Sequence, residues 1–139
     1  MAELQRLIYR STATGTTASL LNVATILAES QRNNDRDGLT GALAAHGDRY
    51  IQVIEGRAST LDSLLRRLEG DNRHKAIEVI DRRDIDRRRF EGWAMAHARF
   101  GPGDASTLER IVNQPGVSAG ELVELLEIAI ERDPASSPR

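Results

Sequence analysis

The sequence predicts an α+β fold: a ferredoxin-like sandwich of the order strand, helix, strand, strand, helix, strand, strand, with further helices at its C-terminal end. Three observations point there. Two apolar stripes at helical spacing, around Leu20–Leu27 and Leu61–Leu68, alternate with short β-branched runs. A hairpin signal, His46-Gly47-Asp48, separates two of those runs. Each helix carries one stripe, so both can lie on one face of a five-stranded mixed sheet.

The elements follow in order. Leu4 to Tyr9 reads as the first strand, and Thr12 to Thr17 as a turn-rich loop ending in good cap residues. Leu20, Val23, Ala24 and Leu27 then define a helix over about 18–32, with Leu21 and Ile26 widening its stripe. Asn33 to Gly38 is expected to end it, with Gly38 taking the left-handed conformation. Leu39 to Ala45 and Arg49 to Glu55 read as the hairpin strands, and Gly56 as a break. Ser59 is the expected cap of the second helix, with Asp62 in its first turn. Gly70 and Asn72 end it. Ala76 to Ile80 predicts a fourth strand and Trp93 to Phe100 a fifth, with Trp93, Met95, His97 and Arg99 on one side.

Gly101-Pro102-Gly103 then punctuates the chain. Two helices are expected beyond it, over 106–113 and 118–132. The second is apolar over a wide arc and needs burial against the sheet or a partner. The expected organisation is a main α+β domain over 1–100, a helical extension over 101–133 and a disordered tail over 134–139.

Composition narrows the function classes. The chain has 139 residues, enough for one domain with a core, and a net charge of −2, which gives no global field for nucleic acid. Five aromatics are too few for a base-stacking platform. No apolar run is long enough to span a bilayer, and the first residues lack a signal-peptide core, so a cytoplasmic location is expected. The absence of cysteine excludes disulfides and thiolate chemistry. His46, His74 and His97 have no metal-ligand spacing. No catalytic triad or carboxylate pair can be argued from spacing. The charged stretch from Asp81 to Arg89 reads as a solvated, salt-bridged loop.

Gln52 stands out. It lies within Tyr50-Ile51-Gln52-Val53-Ile54, a run that otherwise reads as a buried strand. A buried amide without a partner costs roughly 1–3 kcal/mol. Either Gln52 sits on a partly exposed edge strand, or it senses a ligand. Asn33-Asn34-Asp35-Arg36 after the first helix and Arg73-His74 after the second put polar donors at the ends of both helices. Such ends would flank an apolar groove suited to a flat ring with a polar edge and an anionic tail.

Five motifs in order carry a family resemblance. They are Leu7-Ile8-Tyr9-Arg10-Ser11, the stretch from Ser30 to Gly41, Gln52-Val53-Ile54-Glu55-Gly56, Asp71-Asn72-Arg73-His74, and Arg88-Arg89-Phe90-Glu91-Gly92-Trp93-Ala94-Met95. Together, over about residues 4–100, they resemble the BLUF domain (blue light using flavin). The resemblance implies FAD bound non-covalently, with its flavin between the two helices. It makes Tyr9 the electron and proton donor and Gln52 the amide that rearranges. It places Asn34 on the polar edge of the flavin, and Asn33, Arg67, Asp71, Arg73 and His74 on the ring, ribityl chain or phosphates. Ile26 and Leu68 would sandwich the ring, and Trp93 and Met95 would relay the signal along the last strand. Leu43-Ala44-Ala45-His46 and Ile51 depart from the bulkier residues frequent in the family.

The expected function is a short blue-light photoreceptor, not an enzyme, with output through a protein partner or a homo-oligomer. The alternatives are an acylphosphatase-like phosphate-handling enzyme, which lacks a Gly-rich cradle here, and a flavin-free ferredoxin-like scaffold.

Overall fold

The computed structural model describes residues 4–13, 20–46, 49–70, 74–98, 110 and 118–132. Over these residues the fold is mixed α+β, with an antiparallel sheet and three helices. Its elements are β1 (Leu4–Ala13), α1 (Leu20–Asp37), β2 (Thr40–His46), β3 (Arg49–Arg57), α2 (Ala58–Glu69), β4 (His74–Asp84), β5 (Ala96–His97) and α3 (Ala119–Arg132). The four long strands run β4-β1-β3-β2, each antiparallel to its neighbour, and the two-residue β5 pairs parallel with β2. Both β1–α1–β2 and β3–α2–β4 are therefore crossovers that skip one strand.

Several boundaries differ from the sequence expectation. The first helix does not stop at Asn33-Asn34 but runs to Asp37. Gly38, at φ 71°, is the true terminator, and the Leu39 N–H donates to the Asn34 carbonyl at 2.8 Å. That is the 6→1 bond of a Schellman motif, which glycine allows at no steric cost. Ser59 does not cap α2; Arg57 holds the cap position without a side-chain bond, and Asp62 pairs instead with Arg82 at 2.8 Å. Gly56 does not break β3, which continues to Arg57 with the Leu39 side chain lying over the glycine. The fourth strand extends to Asp84, so half of the expected charged loop is strand, held by Gln5–Asp84 and Arg83–Asp81 bonds.

The fifth strand shrinks most. Among the described residues, only Ala96 and His97 are in strand register with β2. Trp93 and Met95 precede the strand: Trp93 donates its N–H to Phe90 O at 3.0 Å and accepts from Gly41 N at 3.0 Å. Strand alternation does not govern a turn, and the two side chains part company.

The sheet separates two cores. One holds Leu7, Tyr9, Leu39, Leu43, Tyr50, Ile54, Leu61 and Met95, with Leu64, Leu65 and Leu68 of α2 packed on it. The other holds Ile8, Ile51, Val53 and Phe90 together with Leu122, Val123, Leu126, Ala129 and Ile130 of α3. The wide apolar arc of α3 thus finds its burial on the sheet. Burying each such aliphatic side chain contributes roughly 1.5–3 kcal/mol, so α3 is anchored rather than free. Ser118 caps it, accepting from the Glu121 N–H at 3.0 Å. The expected helix over 106–113 lies outside the described residues except for Arg110, which pairs with Glu121 at 2.7 Å. The tail lies outside them too.

Candidate functional site

β1 and β3 carry the site. Their register sets Tyr9 directly opposite Gln52, and the β2–β3 register sets Leu43 opposite Gln52 on its other side. Directly paired residues share a sheet face, so Tyr9, Gln52 and Leu43 form one row on the face that α2 covers. Tyr9 is 1 % exposed and Gln52 2 %. Among the described residues, the Gln52 side chain has no hydrogen-bond partner. The sequence alternative of an exposed edge-strand amide is thereby removed: β3 is interior to the sheet and Gln52 is buried.

Asn34 approaches the same region from the end of α1. It is 2 % exposed, and its Nδ2 donates to Ala94 O at 2.7 Å. Gln31, almost one turn earlier, donates to Met95 O at 3.0 Å. The Asn34 Oδ1 accepts nothing among the described residues. A cavity of about 690 Å³ opens beside Asn34, bordered by Leu39, Thr40, Arg88 and Glu91; Tyr9 and Gln52 do not line it.

The other expected site residues fall into three groups. Leu68 packs on the Tyr9 core, and Met95, 2 % exposed, belongs to it. Asn33 is exposed, since consecutive helical residues point about 100° apart. Arg67 is also largely exposed and reaches Asp37 at 3.1 Å, which ties the C-terminal ends of α1 and α2 together. Trp93 packs on the α3 core, not beside Met95. Asp71 and Arg73 lie outside the described residues, as do the side chains of Ile26 and His74.

One buried group was not singled out from sequence. Glu55 is fully buried, with Arg6 at 3.1 Å and the N–H groups of Arg89 and Phe90 at 2.9 Å each. Its position on the strand face opposite Gln52, in an apolar run, was the available signal.

A buried amide without a partner among the described residues, beside a buried phenol, fits a ligand that supplies the missing bonds. The comparisons identify which kind. The family model described as "Sensors of blue-light using FAD" matches residues 4–96. The chain belongs to the BLUF family. It is a flavin-binding blue-light sensor. The BLUF protein BlrB in its dark state is 33 % identical, with a TM-score of 0.74, covering 94 % of this chain and 96 % of that one. A bacterial light-regulated adenylyl cyclase is 30 % identical with a TM-score of 0.69 over 78 % of this chain, which spans only 33 % of the cyclase. BlrP1 of Klebsiella pneumoniae, with FMN and cyclic diGMP, is 26 % identical with a TM-score of 0.68, covering 90 % of this chain and 34 % of that one. No curated protein matches. Among the described residues no helix is long and apolar enough to cross a membrane.

Proposed function

We propose that this BLUF domain switches through Tyr9 and Gln52, with FAD as its flavin. The observation that carries this is the buried Gln52 amide, unpartnered among the described residues and in register with Tyr9. A bound flavin supplies a blue-light-absorbing acceptor for an electron and a proton. Tyr9 contributes a redox-active phenol with a proton to release. Gln52 contributes a donor and an acceptor on opposite corners of one amide. Its rotation or tautomerisation reverses the hydrogen-bond pattern offered to the ligand, and no covalent bond to the protein changes. Asn34, already donating to Ala94 O, keeps a second N–H and its Oδ1 for the polar edge of the ring.

Ile26 and Leu68 are assigned to the ring faces. Asn33, Arg67, Asp71, Arg73 and His74 are assigned to the ring, ribityl chain and phosphates, and Met95 and Trp93 to signal relay. For Arg67 this requires release of Asp37; for Asn33, a contact from an exposed position. We read the sheet as a ferredoxin-like sandwich with β5 as its fifth, parallel strand. Residues 1–100 are the sensor and 101–133 its extension. The domain itself is non-catalytic and cytoplasmic, and passes its state to a protein partner or a homo-oligomer.

Blue-light difference spectroscopy on the flavin-loaded protein tests the switch. Wild type should show a reversible red-shift of the flavin band, and Gln52→Leu should bind flavin without it. A normal, reversible shift in Gln52→Leu would rule the amide out as the switch. Chromatography of the released flavin decides between FAD and FMN.

A further inference from the structure

We propose that Glu55, Arg89 and Glu127 form the linkage that carries a change at Gln52 through the sheet to α3, an inference that rests on the switch reading above. The strand itself supplies the first step. Side chains of β3 alternate, so Gln52 faces Tyr9 while Glu55, three residues on, faces the α3 core. A displacement of the β3 backbone that accompanies the Gln52 rearrangement therefore moves a group on the far side of the sheet.

Glu55 is suited to pass that movement on. Its carboxylate is fully buried, so every oxygen lone pair left without a donor is expensive. Oε2 accepts from Arg6 Nε at 3.1 Å and from the Arg89 N–H at 2.9 Å; Oε1 accepts from the Phe90 N–H at 2.9 Å and from Thr40 Oγ1 at 3.3 Å. The Glu55 carbonyl also accepts from Arg88 Nη1 at 3.0 Å. The backbone at 88–90 is thus bonded to β3 by charge-assisted contacts, which are short and directional. It follows the strand.

The second step leaves the sheet. The Arg89 side chain reaches α3, with Nη2 on Glu127 Oε1 at 3.0 Å and Nε on Oε2 at 3.4 Å. Phe90, 1 % exposed, packs in the same core as Leu122 and Leu126. The segment that follows is held from the opposite side by Asn34 on Ala94 O and Gln31 on Met95 O. Residues 88–95 therefore sit between the flavin face and α3 and are bonded to both. Gln52 supplies the two discrete arrangements that such a linkage needs.

The test uses the full-length, flavin-loaded protein. Light-minus-dark amide hydrogen exchange is measured over 119–132, with the flavin red-shift recorded on the same samples. Arg89→Ala keeps the main-chain N–H that Glu55 uses, and a half-exposed ion pair adds little stability, so the variants fold. Wild type should show an exchange difference over α3. In Arg89→Ala and in Glu127→Ala that difference should fall by about threefold or more while the red-shift stays intact. The double variant should be no worse than either single one, because both break the same link. Full exchange differences in the single variants, or additive losses in the double one, overturn the linkage. So does a wild type that red-shifts with no exchange difference over 119–132, which leaves the switch reading standing. A wild type without a red-shift sinks the switch reading and the linkage with it.

Discussion

Replacing Gln52 with leucine should stabilise the flavin-free protein while abolishing its response to light. The amide is 2 % exposed, lies between Tyr9 and Leu43 in the sheet register, and has no partner among the described residues. Leaving a buried amide unpaired costs roughly 1–3 kcal/mol. Leucine is similar in volume and adds no polar atom, so most of that penalty disappears without a cavity. For a chain of this size, a gain of about 1–3 kcal/mol raises the midpoint of thermal unfolding by roughly 4–12 °C. The assay is differential scanning fluorimetry or calorimetry on apo wild type and apo Gln52→Leu, followed by flavin titration of both. Flavin should stabilise wild type more than the variant, because only wild type gains the hydrogen bonds that Gln52 makes on binding. An apo variant that is less stable than apo wild type by 1 kcal/mol or more would refute the reasoning. It would mean that Gln52 already has a structural partner and is not waiting for a ligand.

Other outcomes follow from the same geometry. Tyr9→Phe keeps the buried ring and should retain flavin and fold, but lose the light-induced red-shift in difference spectra. Gly41→Ala puts a Cβ into the Val53 carbonyl on the neighbouring strand, where only backbone can yield, and should destabilise by about 1–3 kcal/mol in urea titrations. A stability unchanged from wild type would show that β2 and β3 can separate there at no expense. Asp37 is held below the ordinary carboxylate range, first by hydrogen bonding from Arg36 and then by the charges of Arg36 and Arg67, against its partial burial. Its folded value lies below its unfolded one, so its contribution is present above the ordinary carboxylate range and is lost as pH falls through the folded value. Asp37→Asn should flatten the acid side of the stability profile, and an unchanged acid slope would show that Asp37 contributes nothing there.

Much of this was legible in the chain, for identifiable reasons. The helical stripes and the hairpin signal depend on local periodicity, and α2, β2 and β3 fall where those signals place them, within a few residues. The alternation of β3 is equally local, and it sets Gln52 and Glu55 on opposite faces. What local reading missed depends on residues distant in sequence. Asn34 looks like a helix terminator by itself, yet its side chain is committed to Ala94, sixty residues away, and the helix continues. Arg88 and Arg89 look like solvated loop charges, yet one bonds the carbonyls of Glu55 and Gly38 and the other reaches Glu127. Trp93 and Met95 share parity, which implies one face only if the strand is regular. The turn bonded to Phe90 and Gly41 breaks that regularity.

That break has a functional consequence. A regular fifth strand would have put Trp93 and Met95 together on one face. Instead Met95 joins the Tyr9 core and Trp93 the α3 core, two residues apart. Residues 88–95 thereby touch both sides of the sheet through side chains and are bonded to α1, β2 and β3 through backbone groups. A fully paired strand would hold such a segment in one register by its ladder. Here β2 and β5 share two register pairs among the described residues, with Gly41 N–H on Trp93 O and Ala98 N–H on Leu43 O beside them, so Glu55, Asn34 and Gln31 hold the segment jointly with β2. Glu55 lies on β3 with Gln52, and Asn34 and Gln31 lie on α1, so all three sit on the elements that carry the groups assigned to the ligand. A weakly laddered segment held by ligand-facing elements is free to follow them, which is what a sensor needs between its photochemistry and its surface.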